Sequence, residues 1–211
     1  MDLQHTTQPL MWNKIKHMNF VLYISMPSPQ KQKGSSFERE VANFLTKTYN
    51  ESFIRAPGSG AYVGGKNQAR KEILHEGQIR SFKGDIVPGQ SFPLFNAECK
   101  SYADFPFHLV LAGDCKVLNT WLDQLMTVAE PNDISILFMK FNRKGRFVAV
   151  QNDCQWITDN FMYYSTKKYS DWLIIEFDSF FTNNKDLLKT YSSKTDTKST
   201  VTNNILNLSI H

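Results

Sequence analysis

The stretch from Pro93 to Lys100, PLFNAECK, constrains the fold of this chain more than any other. It alternates two sets of side chains, Leu94, Asn96, Glu98 and Lys100 in one set and Phe95, Ala97 and Cys99 in the other. Successive side chains of a strand point to opposite faces of a sheet. The pattern therefore predicts a β-strand from which Glu98 and Lys100 project on the same side.

Two stretches with a helical period flank this strand. In Ser35–Tyr49 the apolar residues recur at spacings of three and four, and Lys116–Ala129 repeats the pattern. Ser35 or Ser36 is predicted to cap the first helix. Glu38 would then lie in the first turn, where an acidic side chain suits the helix dipole. The sequence thus predicts one amphipathic helix on each side of the strand.

Shorter elements are indicated by runs of β-formers or by helical spacing between turn residues. They are strands at Ser52–Ala56, Asp85–Val87 and Trp172–Phe177, a hairpin of Ile134–Phe141 and Arg146–Gln151, and a closing helix at Ser179–Leu188. Between them, Gly58–Phe82 is rich in Gly, Lys, Arg and Gln and has little apolar periodicity. It predicts a long basic loop, of the kind that is usually functional or disordered.

The ends of the chain differ in composition from its centre. A length of 211 residues allows one domain with a real core. Recognisable domain sequence begins at Lys31, so residues 1–30 are interpreted as an arm that is either flexible or the product of a misassigned start. Residues 31–188 are predicted to form the domain, and the Ser, Thr, Asn and Lys of 189–211 predict a disordered tail. The apolar run Met18–Met26 is too short to span a bilayer.

Charge and cysteine content bound the function loosely. The chain has 24 Lys and Arg against 20 Asp and Glu, a net charge of +4, which suits a polyanionic partner without requiring one. The three cysteines are widely spaced and lack a CxxC or CxxH pairing, so they indicate neither a disulfide framework nor a zinc site. We expect a reducing, intracellular location, with no membrane association.

The strand-borne Glu98 and Lys100, with Asp85 upstream across a turn, suggest metal chemistry. If Asp85 and Glu98 come from adjacent strands, they can share one Mg²⁺, which prefers oxygen ligands and retains several waters. The backbone carbonyl of Cys99 is a plausible third ligand. Lys100 could orient or deprotonate the attacking water, and Glu38 could complete the shell through water or bind a second ion.

Each of these residues also has a simpler interpretation. A Glu-x-Lys pair on a strand is usually a solvated charged face, Asp85 after Gly84 can be a turn residue, and Glu38 can be a helix-start charge. Their order along the chain, with a basic turn and an amphipathic helix in the expected places, favours the catalytic interpretation.

Four runs in this order carry a family resemblance: Lys33–Glu40, Ile54–Gly60, Gly84–Val87 and Ala97–Ser101. They resemble archaeal-type Holliday junction resolvases and their bacteriophage relatives, members of the PD-(D/E)xK nuclease superfamily, over roughly Lys31–Val150. The resemblance implies an α/β fold with a restriction-endonuclease-like core, a central mixed β-sheet flanked by helices. It also implies a magnesium-dependent phosphodiester hydrolase, with Mn²⁺ expected to substitute, that acts as a homodimer on four-way DNA junctions.

Residue by residue, the resemblance assigns the catalytic set. Glu38 matches the helical acid of the family, Asp85 and Glu98 match its metal ligands, and Lys100 matches its catalytic lysine. Arg39 and Arg55 match basic residues used near DNA.

One departure concerns the segment Gly60–Lys83, which compact resolvases lack and phage-type relatives tolerate. Its basic residues are expected to meet DNA phosphates without reading sequence. The predicted DNA-contacting residues outside the catalytic set are Arg39, Arg55, Ser59, Lys66, Arg70, Lys71, Arg80, Lys83 and Gln124. Gln124 belongs to a Trp-x-x-Gln run, beginning at Trp121, that resembles the helix of phage relatives; Trp121 itself is expected to be core.

Three functions remain open from the sequence. The first is a structure-selective endonuclease that resolves junctions in a viral or mobile-element setting. The second is a general nuclease of the same superfamily, such as a restriction-like enzyme or a recombination exonuclease, which would cut linear duplexes equally well. The third is a non-catalytic DNA-binding module on the same fold.

Overall fold

The structure, a computed structural model, describes residues 29–57 and 83–193, with side chains from Gly34 onward. By its internal contacts the chain divides into residues 1–33 and residues 34–211, and the second unit contains the sheet and, from Gly34 onward, its helices. The elements in chain order are α1 (Pro29–Tyr49), β1 (Ile54–Arg55), β2 (Ile86–Val87), β3 (Phe95–Tyr102), α2 (Phe107–Leu111), α3 (Lys116–Thr127), β4 (Ile134–Phe141), β5 (Gly145–Gln151), β6 (Met162–Tyr164), β7 (Trp172–Glu176) and α4 (Phe177–Ser193).

A mixed sheet of five strands, in the order β3-β4-β5-β7-β6, forms the centre of the fold. Strands β3 and β4 are parallel and are joined through α2 and α3, as a parallel pair requires a long crossover. All other pairs are antiparallel, and β1 and β2 form a separate two-stranded ladder. Strand β3 therefore ends the large sheet on one side and β6 ends it on the other.

Both faces of the sheet are buried, which explains the nearly continuous apolar run in β4. Ile136 and Phe138 pack in the cluster that contains the apolar stripes of α1 and α4. Leu137 and Met139, on the opposite face, pack in the cluster that contains α2 and α3. The result is a helix–sheet–helix sandwich, so the predicted restriction-endonuclease-like fold is confirmed.

The structure confirms most elements predicted from periodicity and corrects several boundaries. Helix α1 begins at Pro29, so the predicted cap at Ser35 or Ser36 is wrong. Helix α4 runs to Ser193 and includes the first residues of the predicted tail, because Ser192 is buried and its carbonyl accepts a hydrogen bond from the Leu94 N–H (3.0 Å). The rest of the tail, most of the arm and the long basic loop lie outside the described residues.

No helix of the described part of the chain combines the length and apolar character needed to cross a bilayer.

Candidate active site

Three separate segments bring the four predicted catalytic residues together. Glu38 lies on α1, Asp85 immediately precedes β2, and Glu98 and Lys100 lie on β3. All three carboxylates are buried, and the negative charge of Asp85 acts on both Glu38 and Glu98. The cluster therefore sits beside β3, where the large sheet ends.

Backbone hydrogen bonds fix Asp85 against β3. The Asp85 N–H donates to the Ala97 carbonyl (2.8 Å), and its own carbonyl accepts from the Ala56 N–H (2.8 Å). Its side-chain Oδ2 accepts from the Cys99 N–H (2.8 Å). Main chain and carboxylate are thus both held by neighbouring strands, which leaves Asp85 little conformational freedom.

Gly84 makes this close approach possible. Its φ of +69° lies in the left-handed region, and a Cβ at this position would stand 2.3 Å from the Ala97 carbonyl oxygen. A side chain would therefore push the segment away from β3, so glycine is required both by conformation and by space.

Lys100 and Glu98 form an ion pair on the same side of β3. The Nζ of Lys100 lies 2.6 Å from Oε1 of Glu98, and both side chains are largely buried. This confirms the sequence prediction that the two residues point the same way. It also excludes the simple interpretation of a solvated charged face.

The pKa of Glu98 is raised to about 7. Burial is the largest cause and the charge of Asp85 the second, while the ammonium of Lys100 opposes both. The positive charge of Lys100 therefore does not fully compensate the burial of Glu98 and its repulsion by Asp85. A cation placed between Asp85 and Glu98 would favour the ionised form of Glu98.

Glu38 is paired with Arg55 across the site. The guanidinium Nε of Arg55 donates to Oε2 of Glu38. Burial, followed by the charge of Asp85, raises the pKa of Glu38, and Arg55 lowers it. Because α1 begins at Pro29, Glu38 lies well inside the helix, and the interpretation of it as a first-turn charge is wrong.

The backbone of Cys99 faces the site, whereas its side chain packs in the core. The N–H and C=O of one strand residue project to the same side, so the Cys99 carbonyl faces the same edge as the N–H that binds Asp85. The thiol is buried in the α1 side of the core, and burial raises its pKa well above the usual value. The thiol is therefore held neutral and away from any ligand role.

The donor set suits a hard divalent cation. Within residues 29–57 and 83–193, no three His, Cys, Asp or Glu side chains converge as a metal-holding group. Magnesium does not need such a group, because it is commonly held by one or two carboxylates and keeps several waters. Two buried carboxylates, Asp85 and Glu98, with the Cys99 carbonyl beside them, fit this chemistry.

Helix α3 packs against β3 and carries Gln124. The ring of Trp121 packs on Tyr102, and the carbonyl of Leu125 accepts a hydrogen bond from Asn96 Nδ2 (3.1 Å). The helix thus runs antiparallel to β3, and the exposed Gln124 falls between these two contacts. Trp121 is buried, as predicted for a core residue.

The structure locates only some of the predicted DNA-contacting residues. Arg39 is exposed on α1, whereas Arg55 is half-buried and engaged with Glu38. Ser59, Lys66, Arg70, Lys71 and Arg80 lie outside the described residues, as do His75 and Glu76.

The structure corrects the prediction that Lys83 contacts DNA. It is buried and its ammonium pairs with the carboxylate of Asp133 at the start of β4. A lysine held in this way is withdrawn from phosphate, and we do not expect it to contact DNA. Asp133 was not predicted, because the pair joins two distant segments and no local pattern marks it. The pair anchors the chain directly before Gly84 and Asp85.

The family profile described as "Phage putative PDDEXK endonuclease" matches residues 29–199. The chain belongs to this family. The match confirms the predicted PD-(D/E)xK superfamily and the likeness to phage relatives, and it supports a nuclease with DNA as its substrate. Nucleases of the PD-(D/E)xK class generally use divalent metal ions. No curated protein and no solved structure matches this phage-type PD-(D/E)xK chain.

Proposed function

We propose that this protein is a magnesium-dependent, structure-selective DNA endonuclease that resolves four-way junctions as a homodimer. The observation that carries the proposal is the convergence of Asp85, Glu98 and Lys100 beside β3, with Asp85 held by the Cys99 N–H. This is the arrangement expected of a site that hydrolyses phosphodiesters, and it lies in a chain of the phage PD-(D/E)xK endonuclease family.

Asp85, Glu98 and the Cys99 carbonyl are the proposed metal ligands. When bound, the metal lowers the pKa of water and offsets the negative charge that develops on the phosphate. Glu38, already turned toward Arg55, would act through water or on a second ion.

Lys100 is the proposed catalytic lysine. Its ammonium lies against Glu98 and keeps a positive charge beside the position of the scissile phosphate. In that place it can orient the attacking water by hydrogen bonding. Arg39, Gln124 and the basic segment that ends before Lys83 are proposed to hold the flanking phosphates.

Selectivity for branched DNA is supported by the four sequence runs that resemble junction resolvases. The segment Gly60–Lys83, which compact resolvases lack, is the observation that favours the second candidate, a general nuclease of the same superfamily.

The deciding experiment incubates the purified protein and Mg²⁺ with a labelled four-way junction and with the linear duplex of matching sequence, and maps the products. Paired symmetric nicks confined to the junction are expected. Equal digestion of the duplex would favour the general nuclease. Absence of products with either substrate would favour a non-catalytic binding module.

Replacing an acid should separate cleavage from binding. D85A and E98A are each expected to abolish cleavage, because each removes a metal ligand, while DNA binding is retained, because loss of a negative charge reduces repulsion of phosphate. Product gels and fluorescence anisotropy measure the two properties. Cleavage that survives both substitutions would contradict the proposed site.

K100A is expected to reduce the cleavage rate more than the affinity for DNA. If K100A weakens binding alone, Lys100 anchors phosphate and takes no part in hydrolysis.

A further inference from the structure

Tyr102 stands out as a large exposed aromatic residue close to the proposed site. It is the last residue of β3 and follows Lys100 by two positions, so the two side chains share a face about 7 Å apart along the strand. The residue is 49% exposed, whereas Trp121 beneath it is 3% exposed. The Tyr102 ring therefore packs on a buried ring while much of the residue remains open to solvent.

A rigid aromatic stack supports the ring. The centroids of Tyr102 and Trp121 are 4.9 Å apart, with an interplanar angle of 34°. Trp121 stacks in turn on Phe105 (5.3 Å, 20°), which stacks on Phe141 (4.7 Å, 14°). The Tyr102 carbonyl also accepts a hydrogen bond from the Asn142 N–H (3.2 Å). Little conformational entropy would be lost if a flat ligand stacked on such a supported ring.

Charged side chains lie next to Tyr102. Tyr102 pairs with Phe141 in the parallel ladder, so the β4–β5 turn lies next to it. That turn exposes Arg143 and Lys144, and Lys144 is paired with the exposed Asp104. Arg143 thus places an exposed cation beside a supported aromatic face, and this combination binds a base and its phosphate in single-stranded nucleic acid.

We propose that Tyr102 is a stacking platform for an unpaired nucleobase at the branch point of DNA. The inference rests on the proposed nuclease function and adds the feature of the substrate that is recognised. Bases inside an intact duplex are covered on both faces by their neighbours, so only a base that is unstacked at a junction, flap or mismatch can use the ring. The platform therefore favours branched DNA over linear duplex without reading sequence.

The test measures binding in EDTA, which separates recognition from cleavage. The probes are a four-way junction with 2-aminopurine at the branch point and the linear duplex of the same sequence. Y102A is expected to weaken junction binding by roughly fivefold to a hundredfold, the range that loss of one stacked base produces, and to leave duplex binding unchanged. Y102F should retain wild-type binding, because stacking needs the ring and not the hydroxyl.

Tyr163 provides a matched control. It is 48% exposed and lies on β6, at the opposite end of the sheet from β3. Y163A should bind both probes as the wild type does. A stacked 2-aminopurine should lose fluorescence on binding wild type and Y102F and should keep it with Y102A.

Several outcomes would overturn the platform: equal weakening of junction and duplex by Y102A, no effect of Y102A, or quenching that persists in Y102A. These outcomes are independent of whether the protein cuts DNA. A protein that fails to cleave with Mg²⁺ but shows the Y102A effect would refute the proposed hydrolysis and retain the platform. Cleavage by a protein whose junction binding is unaffected by Y102A would support the proposed hydrolysis and refute the platform.

Discussion

The buried acidic residues of the candidate site destabilise the folded protein electrostatically, which apolar residues in the same positions would not do. Glu98 and Asp85 are both buried, and the negative charge of Asp85 disfavours ionisation of Glu98. Lys100 offsets part of this repulsion through its ion pair with Glu98. The remaining imbalance is a property of the metal-free protein and should appear in its stability.

The substitution E98Q should reveal this cost as a function of pH. The pKa of Glu98 in the folded chain is about 7, above its ordinary value of 4.5, so the native state binds the proton more tightly than the unfolded state. The stabilisation from this proton is fully present below the unfolded pKa and is lost as the pH rises through about 7. At high pH the loss is up to about 3 kcal/mol.

E98Q mimics the protonated side chain at every pH. In EDTA, the wild type and E98Q should have similar free energies of unfolding at about pH 4, below the unfolded pKa, and E98Q should be the more stable protein at about pH 8.5. Urea titrations across this pH range measure the free energy of unfolding of both proteins. A difference that does not change with pH would contradict the assignment of this titration to Glu98.

At the scale of elements, the site depends on how closely the segment before β2 approaches β3. That approach is set by Gly84 and by the backbone bonds of Asp85 to β3 and to the residue after β1. The buried pair of Lys83 and Asp133 also anchors this segment, directly before Gly84. The positions of the acids thus depend on packing between elements as well as on the elements themselves.

G84A should be more damaging than the same change at Gly113. Both glycines have a φ of +69°, so alanine meets the same backbone strain of about 1–2 kcal/mol at either position. At Gly113 the nearest atom to a new Cβ is 3.4 Å away, whereas at Gly84 it is 2.3 Å away. G84A should therefore cost clearly more stability and should also abolish cleavage by displacing Asp85.

Urea unfolding and junction cleavage of the two variants form a matched comparison. G113A is expected to retain cleavage with only the loss of stability due to strain. Equal destabilisation of G84A and G113A, with cleavage preserved in both, would show that the close approach to β3 is unimportant.

Elements with a clear period could be predicted from the sequence, and those without one could not. The alternation in β3 and the helical stripe of α3 were confirmed, as was the β4–β5 hairpin around its Asn-Arg-Lys-Gly turn. Strand β6 and helix α2 were missed, because three and five residues are too few to establish a period. The start of α1 was missed because the polar residues after Pro29 carry no apolar helical stripe. Pro29 itself is compatible with a first helical turn.

The candidate site divides in the same way. The shared direction of Glu98 and Lys100 follows from strand geometry and was predictable. The pairing of Arg55 with Glu38 and of Lys83 with Asp133 depends on how distant segments pack, and no local pattern reports it. Lys83 was consequently assigned to DNA, since in the sequence it appears only as one more basic residue of a basic segment.

At the scale of the whole molecule, the described part of one chain offers one candidate site, whereas resolution of a four-way junction requires two cuts. A two-fold symmetric pair of chains would present two equivalent sites to the two equivalent strands of a junction. The net charge of +4 favours the approach of each copy to DNA. Because two positively charged copies repel each other, their pairing requires a specific interface.

Mixed dimers test this arrangement on a supercoiled plasmid that extrudes a cruciform. Wild-type dimers should cut both strands in one encounter and yield linear plasmid. Co-expression of wild-type and E98A chains produces mixed dimers alongside the two homodimers. A mixed dimer contains only one active site, so the co-expressed sample should yield a higher ratio of nicked circles to linear plasmid. Wild-type and E98A proteins purified separately and mixed just before the assay form the control, because their dimers have not exchanged subunits. Equal ratios of nicked to linear product in the co-expressed and freshly mixed samples would mean that the two cuts come from independent monomers.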